Sequence, residues 1–460
     1  MKVLLVKPYN LSDHIQPSLG LGYLASAIRK DHNVEILDCI KEGVKPRLFA
    51  NFLEKRKPDV VGIQCYTYDL YNIKEMLASC RKYSVTTVLG GPHPTAEPSR
   101  TMEFFGGDLD FLFKGEAEIG FRKLLDKLSG RKELDSREIP GLVFREDGQI
   151  FENDKLFVND LDRLGTPAWD LIKPQTYPEA QHGAFFKKFP IAPIITTRGC
   201  PFFCTFCAGS LISGKRLRKR SVRSLLDEIG SLYHDYGIRE FHVIDDNFTL
   251  NRPFVKEFLR ALKRLDLDIS WAVPNGVRID TLDDELLELM KETGLYLISL
   301  GIESGSDRIL GLMKKSITTG QIRKSISLIR KHHIDIAGFF ILGFPGETVE
   351  DIKKTIKFSL ELDLVRANFF TYLPFPGTES ANELLDRGRL DEVDLRKFYF
   401  MNATFTPEGI DKDTLKGLQR EAFLKFFLRP RIFARNLAGI KSFTHFKFLL
   451  GRFSRWILLK

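Results

Sequence analysis

Residues 196–207 read Thr-Thr-Arg-Gly-Cys-Pro-Phe-Phe-Cys-Thr-Phe-Cys, and the organisation of the chain follows from them. They continue an apolar run at 191–197 (IAPIITT) that has strand character, so Cys200, Cys204 and Cys207 fall on one loop directly after a strand. A 4Fe–4S cube has four irons, each normally held by one thiolate, and three cysteines leave one iron open. Zinc takes four protein ligands, or three and a water, and no further Cys or His with matching spacing stands nearby. Cys39, Cys65 and Cys80 are scattered through the first hundred residues and read as small buried apolar side chains. Such a distribution is not a disulfide framework and suits a cytoplasmic protein.

Downstream, apolar runs at 239–245, 268–273, 296–302, 336–342 and 368–373 alternate with amphipathic helical patterns. With 191–197 they make six β/α units, an open or partial (β/α)6 barrel over 191–400. Chemistry in barrels lies in the loops after the carboxyl ends of the strands. Upstream, short apolar runs at 2–6, 34–38, 59–64, 85–90 and 110–114 are separated by helical stretches. That pattern predicts a doubly wound parallel sheet of flavodoxin or Rossmann type over 1–135. A hairpin at 140–152 and a Pro- and aromatic-rich linker fill 136–190. The fold class is therefore α/β, ending in a helical region over 401–460.

The net charge of +9 is concentrated in that last region: residues 421–460 hold nine Lys or Arg against one Glu. A general nucleic-acid surface would not confine its charge to one tail, and no RNA-binding motif accompanies it, so no nucleic-acid partner is expected. Phe and Trp interleave with the basic residues. The tail reads either as helices closing the barrel or as a peripheral membrane contact that hints at a lipid-like substrate. No apolar run approaches the roughly 18 residues of a membrane span.

The C-x3-C-x-aromatic-C pattern at the end of a barrel's first strand resembles the radical S-adenosylmethionine (SAM) superfamily. The resemblance implies that the open iron chelates SAM and that the reduced cluster cleaves it to a 5′-deoxyadenosyl radical. Phe206 matches the family's aromatic position near adenine; core packing is its other reading. Asp245 and Asp246 follow the second strand, where one of them would accept from the SAM amino group, or the segment would only cap the next helix. Arg278, after the third strand, would pair with SAM's carboxylate or form a surface salt bridge. Glu303, in Gly301-Ile302-Glu303-Ser304-Gly305, matches the family's SAM-contacting acid, and Gly343, in Gly343-Phe344-Pro345-Gly346-Glu347, its adenine-supporting turn. Pro374-Phe375-Pro376-Gly377 resembles a recurrent segment of the cobalamin-binding subfamily.

The N-terminal third is similar to that subfamily's cobalamin module through Pro17–Ala25, Lys57–Ile63, Gly90–Ala96 and Lys114–Glu118. Gly90 and Gly91 would let the strand end approach the corrin edge, and Thr67, His93 and Thr95 would bond its amide side chains. The chain departs from the D-x-H-x-x-G pattern that supplies a lower cobalt ligand, because Asp13 and His14 are adjacent. Base-off cobalamin without a histidine ligand is the expectation.

The cofactors implied are a 4Fe–4S cluster, SAM and cobalamin, with an external electron donor such as flavodoxin or ferredoxin and a small-molecule or lipid-like substrate. The reaction implied is C-methylation of an unactivated carbon. Two rivals are a non-methylating cyclisation or rearrangement of a tetrapyrrole or lipid-like substrate, and a noncatalytic cobalamin or iron–sulfur sensor.

Overall fold

Apolar runs too short for helices pair side by side through the first domain. Lys2–Lys7 (β1), Asn33–Asp38 (β2), Val60–Gln64 (β3), Thr86–Gly90 (β4) and Phe111–Phe113 (β5) form a parallel sheet in the order β2-β1-β3-β4-β5. Leu5, Val60, Val61 and Leu112 are almost wholly buried, and each such side chain contributes about 1.5–3 kcal/mol. The computed structural model describes residues 1–451 apart from 11–14, 180–185, 391–392, 444 and 448. Asp13 and His14 therefore lie outside the described residues, as does 452–460.

The hairpin at 140–152, expected to belong with the linker, instead extends this sheet. Leu142–Glu146 (β6) pairs antiparallel with β5, and Gln149–Glu152 (β7) pairs with β6. The alternation of Leu142, Val143 and Phe144 buries both faces of β6 and gives it a place beside β5 that a linker would not have.

The second sheet is wholly parallel and open. It runs Arg366–Thr371 (β15), Asp335–Leu342 (β14), Leu295–Glu303 (β13), Ser270–Val277 (β12), Glu240–Val243 (β11) and Ile191–Ile194 (β8). The expected partial barrel of six β/α units is what forms. Thr197–Arg198 (β9) and Arg218–Lys219 (β10) make a separate two-stranded ribbon. Side-chain oxygens of Ser221, Asn251, Asp283, Thr318 and Thr348 cap the helices that follow the strands. Each cap is worth about 1 kcal/mol, and together they fix the loops at the barrel mouth.

The C-terminal region divides the two readings of the tail. Helix Lys412–Phe427 buries Leu415, Leu418, Ala422 and Phe426 against the barrel, and the Gln419 side chain donates to the Phe369 carbonyl. Helix Pro430–Ala438 lies beneath the amino ends of the strands, where Arg435 pairs with Asp335 and Arg431 with Asp363. Its outer side exposes Phe433 and Leu437. No helix among the described residues is long and apolar enough to cross a membrane.

Candidate active site

The loop from residue 199 to 217 is held at both ends. Arg198 and Arg218 pair across the β9–β10 ribbon, and the Cys200 amide donates to the Gly214 carbonyl at 3.0 Å. Midway, the Thr205 amide donates to Met313 O, and Ser380 donates to Thr205 O through both its amide and its hydroxyl. Cys200, Cys204 and Cys207 are presented on this anchored loop as free thiols. Burial pushes the Cys207 thiol up to about 11, with the neighbouring Cys204 and Cys200 adding to the effect, so iron must displace a proton to bind. Among the described residues no three His, Cys, Asp or Glu side chains converge on one point to hold a single ion. A cluster needs no such convergence, because each cysteine ligates its own iron.

The two adjacent acids have separate fates. Asp245 is 1% exposed, and its carboxylate accepts from the Thr196 amide (2.7 Å), the Thr197 amide (2.9 Å), the Thr197 hydroxyl (2.7 Å) and the Thr196 hydroxyl. It ties the end of β8 to the end of β11 and has little capacity left for a ligand, which narrows the expected SAM contact to Asp246. A methyl group added at Gly209 would sit 3.4 Å from Cys207 Sγ and 3.7 Å from Asp246 Oδ1, so thiol and acid flank one point. Burial raises the Asp246 carboxyl, partly offset by hydrogen bonds from Ser213 and the Gly199 amide.

Glu303 adopts a left-handed φ of 63° at a register shift between β13 and β14, a strain that marks functional sites. Its partner is a residue the sequence reading missed. Lys315 Nζ lies 2.7 Å from Glu303 Oε1, with both side chains under 10% exposed. A side chain at Gly301 would meet that pair at 2.5 and 2.8 Å, which explains the glycine. The Cys204 thiol also acts on Lys315 electrostatically, and the ammonium lies 5.8 Å from the Phe206 ring.

Arg278 is not at the surface. It forks onto Asp280 at 3.0 and 2.8 Å, donates to Lys315 O, and stacks over Phe202 at 3.7 Å. With those donors engaged, it supports the cluster loop through Phe202 and has little capacity left for a ligand. Phe206 packs against a cluster that includes Met313, Phe344 and Tyr372, in agreement with the packing reading. Gly343 has φ 79° and approaches Leu415 so closely that a Cβ would lie 2.7 Å away. Its amide donates to Glu347 Oε2. Burial pushes Glu347 up to about 8, and its Oε1 has no partner.

A cavity of about 260 Å³ opens between the two domains. Its inner part crosses the first sheet over Leu5, Gly62 and Val88, between helices Leu19–Ile28 and Glu118–Leu128. Its mouth brings Gly90 and Gly91 beside Arg198, Ser213, Asp245 and Asp246. A Cβ at Gly20 or Gly90 would meet nothing within 4 Å, and both residues line this space. Gly91 is required for another reason: φ is 114°, and a Cβ would lie 2.9 Å from Cys65 O. An apolar, glycine-lined cleft of this size at the carboxyl edge of a parallel sheet fits the inserted tail of a larger cofactor, whose body would lie at the open mouth.

Thr67, His93 and Thr95, expected to bond cobalamin, do not line the cavity. Thr67 Oγ1 and His93 Nδ1 are 3.1 Å apart, and the Thr95 hydroxyl donates to Gly91 O and accepts from the Gly115 amide. All three are buried; Thr67 and His93 satisfy each other, and Thr95 braces the glycine turn. Gly20, Gly62 and Gln64 are the wall residues the reading missed; glycine inside the strand VVGIQ was the available signal, since it marks a close approach.

Residues 194–359 match the radical SAM superfamily, and residues 12–125 match the B12 binding domain. The chain is 33% identical to an uncharacterized methyltransferase of Pyrococcus horikoshii, covering 100% of this chain and 98% of the relative. It is 30% identical to the cytidylyl-2-hydroxyethylphosphonate methyltransferase of Streptomyces wedmorensis, over 85% of this chain and 83% of that one. In fold it resembles the cobalamin-dependent SAM radical enzyme OxsB, with a TM-score of 0.76 at 17% identity over 100% of this chain and 71% of that one. The chain belongs to the cobalamin-binding radical SAM enzymes, whose cofactors are a 4Fe–4S cluster, SAM and cobalamin.

Proposed function

We propose that this enzyme methylates an unactivated carbon of a small-molecule substrate. The observation that carries the reading is the shared cavity: Gly20 and Gly90 of the cobalamin domain and Asp246 beside the cluster loop face one space. When bound, the cluster and SAM supply a carbon radical and cobalamin supplies the methyl group, so both cofactors must reach one substrate. Cys200, Cys204 and Cys207 would hold the cluster. Asp246 would accept from the SAM amino group, and Lys315, held by Glu303, would meet its carboxylate. Gly62, Gly90 and Gly91 would admit the corrin and its tail. Methyltransferase names among the relatives support the reaction class. A one-electron donor of flavodoxin or ferredoxin type would reach the cluster loop where Phe203 is 62% exposed.

The test uses anaerobically reconstituted protein, a low-potential reductant and SAM labelled on its methyl group. Deoxyadenosine formation and transfer of label to cobalamin are expected, and the deoxyadenosine should vanish in Cys204→Ala. Deoxyadenosine without label on cobalamin would replace methylation with cyclisation or rearrangement.

The tail extends the reading to a membrane surface. Phe433, Leu437, Phe443, Phe446 and Leu450 are exposed in a strongly basic region, as in helices that bury aromatics among anionic headgroups. Its helix Pro430–Ala438 lies beneath the barrel floor, and among the described residues the tail contributes no wall to the cavity, so membrane contact and substrate choice are separate questions. The intact protein should co-sediment with phosphatidylglycerol vesicles and not with phosphatidylcholine; no co-sedimentation would dismiss the contact.

A further inference from the structure

Four buried charges join the domains at the rim of the cavity. Arg218 forks onto Glu116 at 2.7 and 2.6 Å. Arg198 lies 3.3 Å from Glu116 and 2.8 Å from Glu118. The four side chains are only 3–13% exposed. Both acids stand at the start of helix Glu118–Leu128 in the first domain, and both arginines sit on the ribbon from which the cluster loop springs. Arg198 also covers the Tyr23 ring at 4.8 Å.

Burying an ion pair is no efficient way to add stability, because apolar residues of the same volume often do as well. What a bidentate Arg–carboxylate pair does add is a fixed direction and distance. Here the fixed part matters. Arg218 also donates to Ser213 O at 2.7 Å, and Ser213 lines the cavity together with Asp246. The contacts Glu116–Arg218–Ser213 thus run from the cobalamin domain to the far end of the cluster loop, on the wall that Asp246 shares. Glu116, Glu118, Arg198, Ser213 and Asp246 all line the cavity itself.

We propose that Glu116, acting through Arg218 and Arg198, is a positioning residue that sets the separation of the iron–sulfur cluster from cobalamin. It holds both ends of the cluster loop against the cobalamin domain. The inference rests on the cofactor assignment above. It concerns where the cofactors stand, not whether they bind.

Pulsed EPR of the reduced, cofactor-loaded protein reads the distance between the cluster and cob(II)alamin spins without any substrate. The wild type should give one narrow distance. Glu116→Gln keeps the shape and removes the charge that both arginines share. Its distribution should broaden and move to longer distance while iron and cobalamin contents stay at wild-type levels. A role in stability alone would lower the melting temperature or the cofactor content and leave the distance unchanged in molecules carrying both cofactors. Should Glu116→Gln lose its cofactors, Arg218→Lys decides, since lysine keeps the charge and loses the fork; broadening is again expected. A wild-type distance in the loaded variant overturns the inference. Wild-type protein that takes up a cluster and no cobalamin overturns the cofactor assignment, and the latch with it.

Discussion

The barrel buries carboxylates at both ends and treats them differently. At the floor, Glu240 Oε2 accepts from the Lys187 and Lys188 amides at 2.7 and 2.6 Å. Its Oε1 accepts from the Tyr296 hydroxyl at 2.8 Å and lies 2.8 Å from His242 Nε2. At the mouth, bonding capacity is left over. Glu303 has Lys315, Asp246 faces the cavity, Glu347 Oε1 has no partner, and neither end of the buried Asn247 amide has one. Native proteins satisfy buried polar groups almost everywhere. The floor carboxylate is fully bonded, and the spare capacity of Glu347 and Asn247 at the mouth lies where ligands would find partners.

The largest effects should separate the two ends. Glu240→Ala strands two backbone amides and the Tyr296 hydroxyl, and should cost about 3–5 kcal/mol of stability. The folded fraction should bind SAM as before. Lys315→Met should weaken SAM binding by about ten- to a hundredfold, since each tenfold is about 1.4 kcal/mol. Calorimetric titration beside a thermal melt reads both quantities. The contrast breaks if Glu240→Ala melts with the wild type, or if Lys315→Met binds SAM unchanged.

A finer version uses neighbours in the chain. Asp245→Asn places an amide against four donors, and should cost about 1–3 kcal/mol of stability. Asp246→Asn removes a charge from the cavity wall. It should weaken SAM binding about tenfold, with stability changed by no more than about 0.5 kcal/mol. If the two substitutions exchange these phenotypes, the assignment of buttress and ligand is reversed.

The two parallel sheets and the cysteine loop were legible because hydrophobic period and ligand spacing are local properties of the chain. The roles of Asp245 and Asp246 were not. Both follow the same strand, and only Thr196 and Thr197, forty-nine and forty-eight residues from Asp245, decide which acid is consumed. Lys315 stands twelve residues from Glu303, across a turn and a short helix, and no periodicity joins them. Thr67, His93 and Thr95 carried the right chemistry for a corrin amide, but Thr67 and His93 face each other and Thr95 bonds the backbone of Gly91 and Gly115. The hairpin at 140–152 is legible as a hairpin, but its pairing with the first sheet is not, because strand pairing is long-range information.

The smallest effect lies in the first domain, which buries a neutral histidine beside its cleft. Burial holds His93 down at about 4 from an ordinary value of 6.5. Below pH 6.5 the unfolded chain binds a proton that the folded chain refuses, so stability falls as pH drops from 6.5 towards 4 and is fully present above that window. Between pH 7.5 and 5.5 the loss from this one residue should be about 1 kcal/mol. His32 is also held down by burial and acts in the same direction, so the wild-type slope alone does not isolate His93. His93→Gln keeps a polar neighbour for Thr67 and removes the titration. Melting temperatures of both proteins at pH 7.5 and 5.5 give the difference, and the variant should lose less stability on acidification. Equal losses would mean that His93 is protonated in the folded protein at pH 5.5, and that the cleft behind Gly91 is wetter than its packing implies.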